Sequence, residues 1–327
     1  MREKASVVFF GSDPIALPLL EQLWQAHQAE GGGLTVSAIV TQPDRRSGRG
    51  QQLKPNAIAV WALARGLTVL KPAFPDDDLV AWLSERNCQL GLVMAYGHLL
   101  KRPMRETFPL GMLNFHASVL PRLRGASPIE SAIANGMDET GVSLMQIVAK
   151  MDAGPVADVE KVAIGPQMTG PDLRRQLALA TAVLWQRNAA AALKGELLFH
   201  PQNTAEVSYC RKLEKADGRL NFNRSAKALA NQVRAYQDWP GCFFEVADQR
   251  IKVGEAEALP VSSSVPSESS DPGTVLATKP FLDIATGEGV LRIKQLQKPG
   301  GRMLPAEDFL RGFDLAPLAS FDGLGQG

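Results

Sequence analysis

A chain of 327 residues is long enough for two domains or one large one. It is 45% hydrophobic and 21% charged, an ordinary globular composition, and its formal net charge of +1 gives no global field toward a polyanion, so such a partner must be met by a local basic patch. Three widely spaced cysteines, Cys88, Cys210 and Cys242, argue against a disulfide framework or a cysteine-based zinc site and point to a reducing compartment. Val7–Phe10 is too short for a signal-peptide core, and no apolar run approaches membrane-spanning length. A cytoplasmic protein without a membrane partner is expected.

The first half alternates strand-like and helix-like stretches. "SVVFF" reads as a buried strand stopped by Gly11, and Asp13-Pro14 starts a helix in which Pro18 demands a distortion. "LTVSAIVT" (Leu34–Thr41) is a second strand, and "NAIAVWALARG" is a helix ending at Gly66. "LTVL" (Leu67–Leu70) is strand-like, "DDLVAWLSERN" helical, and "LGLVMAYG" (Leu90–Gly97) a fourth, buried strand. "MLNFH" is the fifth. This rhythm predicts a Rossmann-like, doubly wound, mostly parallel sheet. Ligands of such sheets sit beyond the C-terminal strand ends, where Gly97 and His116 fall.

Ser127-Pro128-Ile129-Glu130 reads as a capping box and Asn135-Gly136 as a stop, so Ala117–Ala126 is expected to be an irregular loop. "GVSLMQIVAKMDAGPV" (Gly141–Val156) is a further apolar strand followed by a loop around Asp152 and Gly154. "LRRQLALATAVLWQRNAAAAL" is one long helix. "KGELLFHPQNTAEVSYC" has no clear period and reads as a linker. Beyond Lys212 come a helix, "SAKALANQVRAY", and short strand candidates separated by turn residues, which favour a small, OB-like β-barrel. The expected organisation is residues 1–195, a linker at 196–211, and a second domain at 212–327. The polar stretch Leu259–Gly273 reads as a loop within that domain.

Asn114 and His116 have the same strand parity, so both face one side. A histidine can exchange a proton and an asparagine amide can donate to developing negative charge. A satisfied structural histidine and a turn residue fit the same spacing. Asp152, before Ala153-Gly154-Pro155, fits an Asx turn as well as a carboxylate orienting His116. Ser118 is too local to His116 to complete a nucleophilic triad, and one histidine with one aspartate falls short of a zinc set. "TQPDRRSGRGQQLKPNA" (Thr41–Ala57) carries Arg45, Arg46, Arg49 and Lys54 against Asp44 alone. It reads as a solvated loop or as a basic arm for a phosphate backbone. Arg250, Lys252, Arg292 and Lys294 leave the same two readings in the second domain. "GSDPIA" lacks the dinucleotide glycine pattern.

Together, "NFHASVLPRLRGASPI", "MDAGPV", "AYG", "TQPDR…GRG", "RAYQDWPG" and "GGRMLPAEDFLRG" resemble the folate-dependent formyltransferases, in order and over nearly the whole chain. The basic loop and second domain resemble the family's tRNA-acting member. The resemblance implies formyl transfer from 10-formyltetrahydrofolate to the α-amine of methionyl initiator tRNA. It implies Asn114, His116 and Asp152 as the catalytic trio, and Ser118, Val119, Leu120 and Pro121 as the folate-binding loop. It also implies Arg45, Arg46, Arg49 and Lys54 as tRNA contacts, with no metal and a monomeric protein. Val119 replaces the family's usual leucine, and Arg46 stands where proline is common. The Ser-rich insert and Gly-rich end are not typical of the family. Left open are a related folate-dependent formyltransferase or hydrolase acting on a small amine, and a non-catalytic RNA-binding protein.

Overall fold

The computed structural model describes residues 4–31, 33–47, 51–246, 249–259 and 271–313. The chain forms two compact units. The first comprises Met1–Pro128, Glu139–Ala163 and Arg174–Cys210; the second comprises Ile129–Asp138, Ile164–Leu173 and Arg211–Gly327.

In chain order the strands up to Cys210 are β1 (Ala5–Phe10), β2 (Leu34–Val40), β3 (Arg45–Ser47), β4 (Gln52–Lys54), β5 (Val69–Leu70), β6 (Leu90–Val93), β7 (Met112–His116), β8 (Arg124–Gly125), β9 (Glu139–Gln146), β10 (Val156–Ala163) and β11 (Tyr209–Cys210). The helices are α1 (Leu17–Gln28), α2 (Ala57–Leu63), α3 (Asp77–Glu85), α4 (Arg102–Glu106), α5 (Pro128–Ala134) and α6 (Gly170–Ala192). The main sheet has the order β5-β2-β1-β6-β7-β9-β10. Its first five strands are parallel, while β9 and β10 add an antiparallel edge. The order reverses between β1 and β6, so the crevice beyond their C-terminal ends is where such a sheet receives ligands. Val8, Phe10, Ala38, Val40, Val93 and Met112 pack one sheet face against Leu79 and Leu83 of α3 and Met104 of α4.

Several elements differ from the sequence reading for local reasons. Asp13 caps a 3-10 turn over Pro14–Ala16, and α1 starts at Leu17. Pro18 therefore falls in the first turn, where its missing N–H costs nothing. β6 stops at Val93, and the chain turns through positive φ at Ala95 (49°) and Gly97 (79°). The strand read from Gly141 begins earlier, at Glu139, and β9 ends at Gln146, before the loop around Asp152 and Gly154. The second edge strand, β10, is half-exposed and carries mixed residues, which hid its alternation. Arg124-Gly125, read as irregular loop, pairs in parallel with Tyr209-Cys210. α4 has only five residues, too few to show a period.

The second unit contains α7 (Ala226–Ala235), β12 (Cys242–Val246), β13 (Gln249–Leu259), β14 (Val275–Ala277), β15 (Leu282–Ala285), β16 (Val290–Gln297), β17 (Leu304–Pro305) and α8 (Ala306–Arg311). Its antiparallel sheet runs β12-β13-β16-β15-β14, with β17 also on β16. The expected barrel is thus an antiparallel half-barrel, wrapped on a core that includes Leu229, Val233, Phe244, Ile251, Ile293 and Phe309. A cleft of about 720 Å³ in this unit is lined by Lys227, Asn231, Arg234 and Glu257 among others, and by none of the expected catalytic trio. Residues 260–270 of the Ser/Pro-rich stretch and the Gly-rich end lie outside the described residues. Among the described residues no helix is long and apolar enough to cross a membrane.

His27 joins α1 to the sheet: its Nδ1 accepts from the Val36 N–H at 3.2 Å. Burial, then the Lys4 charge, hold its pKa below the usual value. The folded state therefore favours the neutral ring, so the stabilisation is complete above about pH 6.5 and is lost as pH falls below it. A His27→Gln variant is expected to flatten that part of the Tm-against-pH curve, read by thermal denaturation between about pH 7 and 5.

Candidate active site

Met112, Asn114 and His116 alternate on β7, so the last two share the face on which Met112 packs toward α4. Phe115 points the other way, its ring edge-on to Trp185 of α6. Asn114 lies opposite Val93 on β6 and Met145 on β9; His116 lies opposite Ser143. The strand direction delivers both polar side chains to the C-terminal edge of the sheet.

His116 is buried, and both ring nitrogens have partners. Nε2 lies 3.0 Å from the Leu123 carbonyl, which only accepts, so this nitrogen carries the proton. Nδ1 faces Asp152 Oδ1 at 3.7 Å. Asp152 Oδ2 accepts from the Gly125 N–H at 2.8 Å. Leu123 has φ of 56°, a left-handed position that a bulky residue holds only when its surroundings impose it, and Asp152 shares that region at 50°, which an aspartate enters more readily. The three expected residues therefore converge: Asn114 and His116 on one strand face, and Asp152 on a turn reaching the same ring.

The segment Ser118–Pro121 is tied down rather than loose. Ser118 N–H donates to the His116 carbonyl at 2.8 Å, and its hydroxyl donates to the Arg122 carbonyl at 2.6 Å. Ser143, fully buried on β9, donates to the Ser118 carbonyl at 2.7 Å and accepts from the Leu120 N–H at 3.0 Å. Ser208 closes the far side: its hydroxyl accepts from Leu123 N–H at 2.9 Å and its carbonyl from Arg124 N–H at 2.9 Å. Sequence reasoning missed Ser143 and Ser208. A lone polar residue inside the apolar run "VSLM" was the available signal for Ser143; Ser208 had none. The stretch read as a linker, 196–211, belongs through Cys210 to the first unit and supplies these contacts.

Beyond β6, Ala95 and Gly97 expose turned backbone at the same sheet edge. Tyr96 between them is buried; burial, then the Asp76 charge, push its phenol up to about 12. Gln42, beyond β2, donates to the Tyr96 carbonyl at 2.8 Å and accepts from Arg45. Arg45 opens an exposed hairpin in which it opposes Lys54, and Arg46 opposes Leu53. Asp44, the acid beside it, is taken up by Lys71 at 2.6 Å. Arg45, Arg46 and Lys54 thus stand on one exposed hairpin beyond β2, and Arg49 lies outside the described residues. In the second unit, Arg250 pairs with Glu245, Arg292 with Asp283, and Lys294 with Glu255 and Glu257. Lys252 alone of the four has no ion pair among the described residues. No cluster of metal-ligating side chains occurs among them.

Residues 5–185 match the family described as formyl transferase, and residues 212–314 match the formyl transferase C-terminal domain. This chain belongs to the formyltransferase family. A methionyl-tRNA formyltransferase of Parvibaculum lavamentivorans is 38% identical over 95% of this chain and 98% of its own. Another, of Symbiobacterium thermophilum, is 37% identical over 94% and 92%. Among solved structures, the sugar 3N-formyl transferase WlaRD, determined with dTDP and 5-N-formyl-THF, has a TM-score of 0.65 at 16% identity, covering 92% of this chain and 100% of its own. An N-formyltransferase of Helicobacter canadensis, complexed with folinic acid and dTDP-3-aminofucose, has 0.65 at 17%, covering 90% and 100%. At such identities these two show a shared fold.

Ser143→Ala removes both bonds that pin Ser118 and Leu120 and strands a buried N–H. The expected cost is about 1–3 kcal/mol of stability, measured by denaturant unfolding with the slope unchanged.

Proposed function

We propose that this formyltransferase moves the formyl group of 10-formyltetrahydrofolate to the α-amino group of methionyl initiator tRNA. One observation carries the reading: a buried histidine faces a carboxylate and shares its strand face with an asparagine, in a chain similar from end to end to proteins named for that reaction. The donor set suits the donor molecule. Asn114 offers an amide N–H, and His116 a ring that can carry positive charge, at a sheet edge flanked by irregular backbone after β6 and β7. A planar heterocycle can bond to peptide edges there, whereas a helix would consume them. The Ser118–Pro121 segment is proposed as the wall of that slot.

10-Formyltetrahydrofolate supplies an electrophilic formyl carbon. Asn114 donates its amide N–H to the formyl oxygen as that atom gains negative charge under attack by the amine. His116, when cationic, adds positive charge beside the same oxygen. Asp152 holds that cation and relays the amine's proton to N10 of the folate as the bond from N10 to the formyl carbon breaks and tetrahydrofolate leaves. The Leu123 carbonyl keeps the ring in place by accepting from Nε2. No step in this scheme calls for a metal. Residues 1–195, with the return segment through Cys210, carry the chemistry, and 212–327 contribute to holding the tRNA. Arg45, Arg46, Arg49 and Lys54 reach its acceptor end, and the protein works as a cytoplasmic monomer.

The test mixes purified protein with 10-formyltetrahydrofolate and methionyl-tRNA, initiator or elongator, and follows formylmethionine. Product from the initiator alone is expected; product from neither, with folate bound, overturns the acceptor assignment. Asn114→Ala is expected to lower kcat by roughly 10²–10³, and His116→Ala by roughly 10²–10⁴, each with a near-native Tm. Activity close to native in either variant removes that residue from the scheme. Arg45→Ala with Lys54→Ala is expected to raise KM for tRNA and leave KM for the folate unchanged. It should also reduce the slope of log affinity against log salt by about 0.7–0.9 for each phosphate that is no longer neutralised.

A further inference from the structure

Arg124 is 4% exposed and forms no ion pair among the described residues. A buried guanidinium must have its donors satisfied. Here Nε and Nη2 both donate to the side-chain oxygen of Gln202, at 3.0 and 2.7 Å. Because arginine only donates, that contact fixes the orientation of the amide. The Gln202 nitrogen then has one direction left. It donates to the main-chain carbonyls of Asp152 at 2.9 Å and Gly154 at 2.7 Å.

The next residue, Gly125, completes the grip. Its N–H donates to the Asp152 carboxylate at 2.8 Å. It can sit there because it has no side chain: a Cβ at Gly125 would lie 2.0 Å from the Cys210 carbonyl, and its φ is 121°. Arg124-Gly125 therefore holds Asp152 at both ends, the carboxylate directly and the backbone through Gln202. Gly154 lets the turn close in the same way, since a Cβ there would meet the Gln146 carbonyl at 1.8 Å. Asp152 has a left-handed backbone, which an aspartate enters more readily than most residues, so the direction of its side chain is set by these hydrogen bonds. If the turn relaxes, the carboxylate swings off His116 Nδ1.

We propose that Gln202, oriented by Arg124, is a positioning residue for formyl transfer: it locks the turn at Asp152 so that the carboxylate faces His116. The inference rests on the roles given above to His116 and Asp152. Gln202 does not touch His116, and it acts only through Asp152.

The test uses the full chain and two near-isosteric variants. Gln202→Glu keeps the acceptor toward Arg124 but cannot donate to the two carbonyls. Gln202→Met makes neither bond. Each is expected to lower kcat about 10–100-fold while moving KM for methionyl-tRNA and for 10-formyltetrahydrofolate less than about threefold. The deciding measurement is a double-mutant cycle with Asp152→Asn. In that background either substitution is expected to cost less than about twofold, because residues acting as one unit are not additive. Amide exchange should also quicken in peptides spanning 125 and 150–155, and not in the second unit. Full additivity, unchanged kcat, or unchanged exchange at 150–155 overturns the proposal. If one variant does not fold, the other is read. A wild-type protein that forms no formylmethionine overturns the reaction instead, and the exchange arm still decides whether Gln202 locks the turn.

Discussion

The main chain of Gly125 passes so close to the Cys210 carbonyl that no side chain fits between them. That approach is the constraint on which the site depends. It lets β8 pair with β11 and brings the return segment 202–210 against the loop after β7. It also leaves the Gly125 N–H free for the Asp152 carboxylate. The approach made possible by one missing methyl thus joins segments that the chain separates widely.

The main sheet contributes direction rather than chemistry. Its parallel strands point their C-terminal ends one way, and β7 ends in Asn114 and His116 on the face packed by Met112. The irregular segments after β6 and β7 then stay open at that edge because their breakers act early: Ala95, Gly97 and Leu123 take positive φ, and the helix after Ser127 starts late. The loop's order comes from Ser143 and Ser208, which satisfy its peptide groups from two sides. Electrostatics are concentrated in a small volume. A buried cation at Arg124 is linked through Gln202 to the main chain of Asp152, whose carboxylate is held by Gly125 and faces the His116 ring.

The basic side chains divide by what surrounds them. Arg250, Arg292 and Lys294 lie on the half-barrel beside acidic neighbours and pair with them, so their number says little about a polyanion. Arg45, Arg46 and Lys54 stand on a short hairpin whose nearby acid, Asp44, is taken by Lys71. The sequence showed the same residue types in both places and left the same two readings open. Neighbours across strands made the difference, and those follow from register.

Local information determined much of this protein. The order of buried strands and helices, the start of α5 at Pro128 and the shared parity of Asn114 and His116 depend on residues a few positions apart. The motifs around them resemble a known family for the same reason. Short or half-exposed elements such as α4, β8 and β10 were not legible, since two to eight mixed residues leave no period. Whether Asp152 ends an Asx turn or faces His116 was beyond the sequence as well, because its orientation is imposed by Gly125 and Gln202, 27 and 50 residues away. Only the tertiary structure decided that the apparent linker holds the site. Hydrogen bonds spanning 78 residues from Arg124 to Gln202 and 85 from Leu123 to Ser208 follow from how the sheet folds back, and they leave no trace in spacing or composition.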